Sequence, residues 1–202
     1  MLPDQEIESD IKLLEEGFHK LMNKIKHFNI LSKELVPEGL KPHTRSISWL
    51  AEQVFKQQAR KNLSEIGFES LIDADSDIES FDCKVNINGR DVLVNLKVSA
   101  AKSKNGSRND INKAYKLLKM FEYDEDTLLY YVIIKITFEN TDVILVDGTP
   151  TVFYVPWIHE VYVNPSNHHL QANYELPMKK RTVAEFIRLI DEEIETKKVP
   201  RK

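Results

Sequence analysis

Asp82, Asn95 and Lys97 flank an Asn88-Gly89 step inside a run of alternating apolar residues. Asn-Gly between such runs is the strongest short-range signal for a two-residue hairpin, because both turn positions need positive φ. That turn sets Ile87 opposite Arg90, and hence Asp82 opposite Asn95 and Ser80 opposite Lys97. Side chains alternate with period two, so Asp82, Asn95 and Lys97 are expected on one face of the pair, turned toward solvent. Phe81, Cys83, Val85 and Ile87 with Val92, Val94, Leu96 and Val98 form the core face. A one-residue slip would bury the polar trio, so the apolar pattern holds the register.

A carboxylate, an amide oxygen and an ammonium at this spacing suit phosphodiester hydrolysis. The two oxygen ligands can hold a hard cation such as Mg²⁺, which keeps several waters and polarises a phosphoryl oxygen. The lysine orients water or stabilises developing charge. A second carboxylate completes such sites, and Glu52, on the polar shoulder of the preceding helical stretch, is the candidate.

These residues need a scaffold. Ile7, Ile11, Leu14, Phe18, Leu21 and Ile25 recur at helical spacing and predict an amphipathic helix from Gln5 to Phe28. This N-terminal segment, residues 1–36, is a candidate for dimerisation as well as for covering its own domain; residues 37–202 form the catalytic domain. A second helix is expected from Thr44 to about Asn62, carrying Trp49, Glu52 and Lys56 on one polar shoulder. Strands are expected over Ser80–Ile87, Arg90–Ser99, Leu128–Phe138 and Val143–Val155. Asn109 or Asp110 is expected to cap a helix running to about Phe121, residues 164–180 to be loop-like, and Thr182 to open a last helix. The order predicts one α/β domain with a mixed central β-sheet flanked by helices.

Between Lys84 and Lys119 there are seven lysines and two arginines against Asp91 and Asp110, a local charge of +7 in a chain of net charge −4. A basic segment in an acidic protein is the footprint of a polyanion site. Ser99, Lys102, Lys104, Ser107, Arg108 and Asn109 supply donors for phosphate contacts beside the hairpin, and residues 157–180 carry side-chain types able to read base edges. Adjacent His168 and His169 read as surface residues, and Trp49 and Trp157 as packed ones. The single Cys83 excludes an internal disulfide, no apolar run reaches membrane-spanning length, and the N-terminus lacks a secretory pattern. A cytoplasmic protein with no organic cofactor is expected. The acidic run Asp73 to Asp77 lacks the glycine and the final glutamate of a calcium loop.

The stretch from Trp49 through Glu52 and Asp82 to Asn95-Leu96-Lys97 resembles the PD-(D/E)xK nuclease superfamily, in particular the type II restriction endonucleases. The resemblance covers roughly residues 45–120. It implies a restriction-endonuclease-like mixed sheet, with Asp82 as central metal ligand, Lys97 as catalytic lysine and Glu52 as the helix-borne acid. Asn95 stands where that family has Asp or Glu, which removes one negative charge and favours a single metal. The implied activity is Mg²⁺-dependent, site-specific cleavage of double-stranded DNA by a homodimer, a palindromic site being met by twofold symmetry. A repair or junction nuclease on the same fold, and a non-catalytic DNA-binding protein on a decayed nuclease scaffold, stay open as alternatives.

Overall fold

The computed structural model describes residues 2–29, 34, 44–76, 79–100, 108–139, 142–145 and 149–201. Helix α1 (Asp4–Ile25) and a short strand β1 (His27–Asn29) are followed by helices α2 (Thr44–Lys61) and α3 (Leu63–Ile66). Then come β2 (Ser70–Asp73), β3 (Cys83–Ile87), β4 (Arg90–Ala100), β5 (Arg108–Lys113), α4 (Ala114–Tyr123) and β6 (Leu129–Glu139). Strands β7 (Asp142–Leu145), β8 (Thr151–Tyr154), β9 (Tyr162–Val163) and β10 (His169–Asn173) lead to the last helix, α5 (Val183–Thr196). Among the described residues no helix is long and apolar enough to cross a membrane.

The result is a mixed α/β fold whose central sheet runs β1-β7-β6-β4-β3-β2, with β8 also pairing β6. β4 and β6 are parallel, and their neighbours pair antiparallel. A parallel pair needs a crossover, and the chain from β4 to β6 runs through β5 and α4. β5 joins β10 and β9 in a second sheet.

The hairpin between β3 and β4 has the expected register, with Ile87 opposite Arg90 and Cys83 opposite Val94. Asn88 and Gly89 take φ of 51° and 71°, the left-handed conformation that the two-residue turn demands. Strand β3 begins only at Cys83, so Ser80 and Asp82 precede it. The pairing nevertheless extends one bond further, from the Asp82 amide to the Val94 carbonyl at 2.8 Å.

Residues in register on the parallel strands share a face. Val94 with Tyr130 and Leu96 with Val132 lie on one side; Asn95 with Tyr131 and Ser99 with Lys135 lie on the other. Two hydrogen bonds identify what covers each side. The Tyr130 hydroxyl donates to Asp10 of α1 at 2.9 Å, and the Tyr131 hydroxyl donates to the Asp110 carbonyl of β5 at 2.6 Å. Asp10 is fully buried and also accepts from Arg90 at 2.7 Å, while Arg90 reaches Glu6 at 2.6 Å. This pairing ties α1 to the turn end of the hairpin. The apolar stripe of α1 (Ile7, Ile11, Leu14, Phe18, Leu21) is buried in the molecule's own core.

The sequence reading is corrected at several places, one being the single strand expected over Val143–Val155, where β7 ends at Leu145 and β8 starts at Thr151. Arg108–Lys113 is a strand, so neither Asn109 nor Asp110 caps a helix; α4 starts at Ala114 because pairing with β10 holds the preceding residues extended. Residues 164–180 are not all loop, since β10 lies within them. Strand β2, with its exposed Ile72, has no counterpart in the sequence reading. At the C-terminal helix the expectation holds: Thr182 accepts the Glu185 amide at 3.1 Å and opens α5.

Candidate active site

Because β3 starts at Cys83, the edge of β4 beyond Val94 faces no strand on that side among the described residues. Its amides still need acceptors, and two carboxylates supply them. Asp82 Oδ2 accepts from the Leu96 amide at 2.7 Å, and Glu52 Oε1 accepts from the Val98 amide at 3.4 Å. Leu96 and Val98 are two residues apart, so their amides leave the strand on the same edge. Asp82 arrives from the turn before β3 and Glu52 from α2, which packs on β4. Between them, Lys97 Nζ donates to Asp82 Oδ2 at 3.2 Å, and both side chains keep 29% of their surface exposed.

The expectation of three solvent-facing groups thus holds for Asp82 and Lys97 and fails for Asn95. Asn95 is buried, its Nδ2 donates to the Ser80 carbonyl at 3.2 Å, and its Oδ1 has no hydrogen-bond partner. Alternation puts Asn95 on the face the sequence indicates, but the side chain is buried there against the Ser80 segment. Ser80 is itself buried and serves the Asn95 amide, and no ladder pairing with Lys97 is formed.

Burial pushes the Glu52 carboxyl up to about 7. The Asp82 charge adds to the rise, while Lys97, the Val98 amide and Lys56 oppose it. The buried Tyr131 hydroxyl is driven well above its ordinary range by burial, with the Asp82, Glu52 and Asp110 charges adding to the effect. Burial likewise pushes the Cys83 thiol up to about 12 and leaves it no part in thiolate chemistry. Lys56 is taken up by Asp73 at 3.0 Å.

Among the described residues no group of three or more His, Cys, Asp or Glu side chains is placed to hold a metal. The donors at the β4 edge are two carboxylates and an amide. Asn95 Oδ1, a buried acceptor without a donor, is the kind of atom a hard cation satisfies. Carboxylate and amide oxygens are donors of the kind a hard cation of the magnesium type takes.

The expected phosphate-contact residues separate. Lys102, Lys104 and Ser107 lie outside the described residues. Arg108 is paired with Glu160 and lies 4.7 Å from the centre of the Tyr162 ring. Asn109 is half-buried on β5, and Ser99 is buried with its hydroxyl 3.5 Å from that of Tyr174. In the region expected to read bases, Asn167 and Gln171 donate to Asp110 at 2.8 and 2.6 Å, and His169 Nδ1 stands 3.4 Å from the same carboxylate. Trp157 is buried as expected, but Trp49, one helical turn before Glu52, is 66% exposed. Tyr131, Tyr174 and Lys135 were not singled out from sequence, and Asp110 was read only as a helix cap and as an acid within the basic segment. The alternation in β6 was the available signal for Tyr131 and Lys135; nothing local marks Tyr174, and the cap-like Asn109-Asp110 step hides the strand that Asp110 lies on.

In comparisons with known proteins, no family model matches the chain, and no curated protein matches it at a significant level.

Proposed function

We propose that this chain is a Mg²⁺-dependent endonuclease of double-stranded DNA, built on a restriction-endonuclease-like version of its mixed α/β fold. One observation carries the reading: Glu52 and Asp82 occupy successive free amides on one edge of β4 and flank Lys97. Two carboxylates gathered beside an ammonium are costly unless they serve a cation or a reaction. A divalent cation held by Glu52, Asp82 and Asn95 would polarise a phosphoryl oxygen and acidify water.

The side chains of the chain itself do the positioning. Asp82 fixes the Lys97 ammonium at the strand edge, where it can donate to a phosphate oxygen or to attacking water. Glu52, with a carboxyl ionising near neutral pH, can hold or release a proton under working conditions. Sequence-specific cutting of both strands is read as the work of a homodimer with one site for each strand.

The test is incubation of the protein with plasmid and phage DNA in Mg²⁺, beside a Lys97→Ala variant. Discrete fragments from the wild type alone are expected. Cutting confined to branched or nicked DNA would instead mark a junction or repair nuclease. A second reading draws on Asn95, an amide in a position where an acid would bind a cation more strongly: a non-catalytic DNA-binding protein. It requires DNA binding with no cleavage in any divalent metal. Intact DNA throughout, with no binding, would remove every nuclease-derived reading.

A further inference from the structure

Lys135 is a half-buried cation on β6. It is in parallel register with Ser99, which lies two residues beyond Lys97 on β4. Lys97, Ser99 and Lys135 therefore belong to one face of the sheet. Tyr174, just past the end of β10, comes down on that face and touches both of the latter two. Its hydroxyl is 3.5 Å from Ser99 Oγ, and its ring centre is 5.5 Å from Lys135 Nζ.

Several buried or part-buried cations meet an acid, whereas Arg181 is met by backbone carbonyls and Lys197, like Lys135, by an aromatic ring. Lys56 has Asp73, Lys97 has Asp82, and Arg90 has Asp10 and Glu6. Among the described residues Lys135 has no carboxylate within ion-pair distance; its contact there is the Tyr174 ring. An aromatic face attracts an ammonium but does not neutralise it. The surroundings of Lys135 thus hold one uncompensated positive charge, with two hydroxyl groups, those of Ser99 and Tyr174, beside it. That combination of a cation with neutral donors and no acid is the donor set of a phosphate site.

We propose that Lys135, Tyr174 and Ser99 form a phosphate-binding subsite for the DNA backbone, holding a phosphate of the strand next to the one that Lys97 faces. The proposal rests on the nuclease reading and extends it along the substrate. Two residues along a strand and one strand across place the Lys135 Cα on the order of 8 Å from that of Lys97. Two long side chains at that separation can serve phosphates of one strand. The Tyr174 ring lies against the ammonium and its hydroxyl meets that of Ser99, on the sheet face that also carries Lys97.

The experiment is equilibrium binding of the full chain to a labelled duplex in chelator, across a range of salt concentrations, for the wild type, Lys135→Met, Lys135→Gln and Lys135→Arg. Loss of one phosphate contact should make the plot of log affinity against log salt shallower by about 0.9. Low-salt affinity should fall about tenfold, equally for unrelated duplex sequences. Lys135→Arg should retain the wild-type slope. In Mg²⁺, the neutral variants should raise KM and leave kcat at saturating DNA within about threefold of wild type. A variant that only loosened the fold would not change the salt slope, and Lys135→Gln keeps a polar chain should Lys135→Met unfold. If wild-type protein binds DNA and both neutral variants keep its slope, the subsite is overturned and the nuclease reading stands. If wild-type protein neither binds nor cuts DNA, both fall together.

Discussion

Glu52 and Asp82, thirty residues apart in sequence and carried by different elements, end on amides two residues apart on one strand edge. A shortened β3 leaves those amides unpaired, and the carboxylates take the place of the missing strand. The same bonds that complete the sheet therefore position the acids. Asp82→Ala removes the acceptor for the Leu96 amide and the partner of Lys97 together. The expected cost is about 1 kcal/mol of stability, at the low end for an orphaned amide because water reaches this part-exposed edge. Cleavage should fall by about two to three orders of magnitude for Asp82→Ala and for Lys97→Ala. Urea unfolding and plasmid cleavage check the two parts separately. Full activity in either variant would show that the edge is only structural.

Glu52 makes stability depend on pH in a predictable direction. The unfolded chain ionises this carboxyl near its ordinary 4.5, whereas the fold holds the proton up to about 7. Between those values the folded state carries more protons, so stability is lost as pH rises through the window and levels off above it. The shift corresponds to about 3 kcal/mol. Glu52→Gln keeps an oxygen for the Val98 amide and has no charge to bury. Its stability relative to wild type should therefore rise between about pH 4.5 and pH 7 and stay constant above. Urea unfolding at several pH values without divalent metal measures the difference, in which other titrating groups cancel. Parallel curves for the two proteins would refute the burial of this charge.

The hairpin and the shoulder of α2 were readable because local rules dictate them. Asn88-Gly89 needs positive φ at both positions, and strict alternation permits one register. Thr182 could be read as a cap for the same local reason. The environment of Asn95 could not be read, because alternation tells which face a side chain takes and not what covers that face. Ser80, fifteen residues away, closes on Asn95, and for the same reason Asn109-Asp110 in β5 imitates a helix cap until the distant β10 claims it. Trp49 shows the same limit in reverse: helical spacing put it on the shoulder beside Glu52, but nothing local reveals that its ring stays in solvent.

Gly17 marks the closest approach of α1 to the loop after α3. A Cβ there would lie 2.4 and 2.6 Å from Phe68 ring carbons and 2.9 Å from the Ile66 carbonyl oxygen. The Phe68 ring is itself buried and packs edge-on against Phe18 at 5.5 Å, so it has little room to withdraw. Alanine gains about 1 kcal/mol of intrinsic helix preference over glycine. The overlap costs about 1–3 kcal/mol, so Gly17→Ala should be neutral to destabilising despite that gain. Adding Phe68→Leu should recover part of any loss, a non-additivity that a double-mutant cycle on unfolding free energies measures. A clearly stabilised Gly17→Ala variant would show that the two elements do not meet this closely.

Asn95→Asp tests the cation reading at its weakest ligand. In the wild type the amide nitrogen donates to the Ser80 carbonyl and the oxygen is left unpartnered. An ionised aspartate would face that carbonyl with a second acceptor and add a buried negative charge on a strand already flanked by Glu52 and Asp82. Without metal the variant should lose about 1–3 kcal/mol of stability. With millimolar Mg²⁺ most of that loss should be recovered, because a cation bound to the folded state alone stabilises it in proportion to its affinity. The wild type should gain less from Mg²⁺ than the variant does, since it offers one charge fewer. Thermal unfolding of both proteins, with chelator and with Mg²⁺, reads this directly. Equal Mg²⁺ responses, or none in either protein, would mean that Asn95 does not take part in holding a cation.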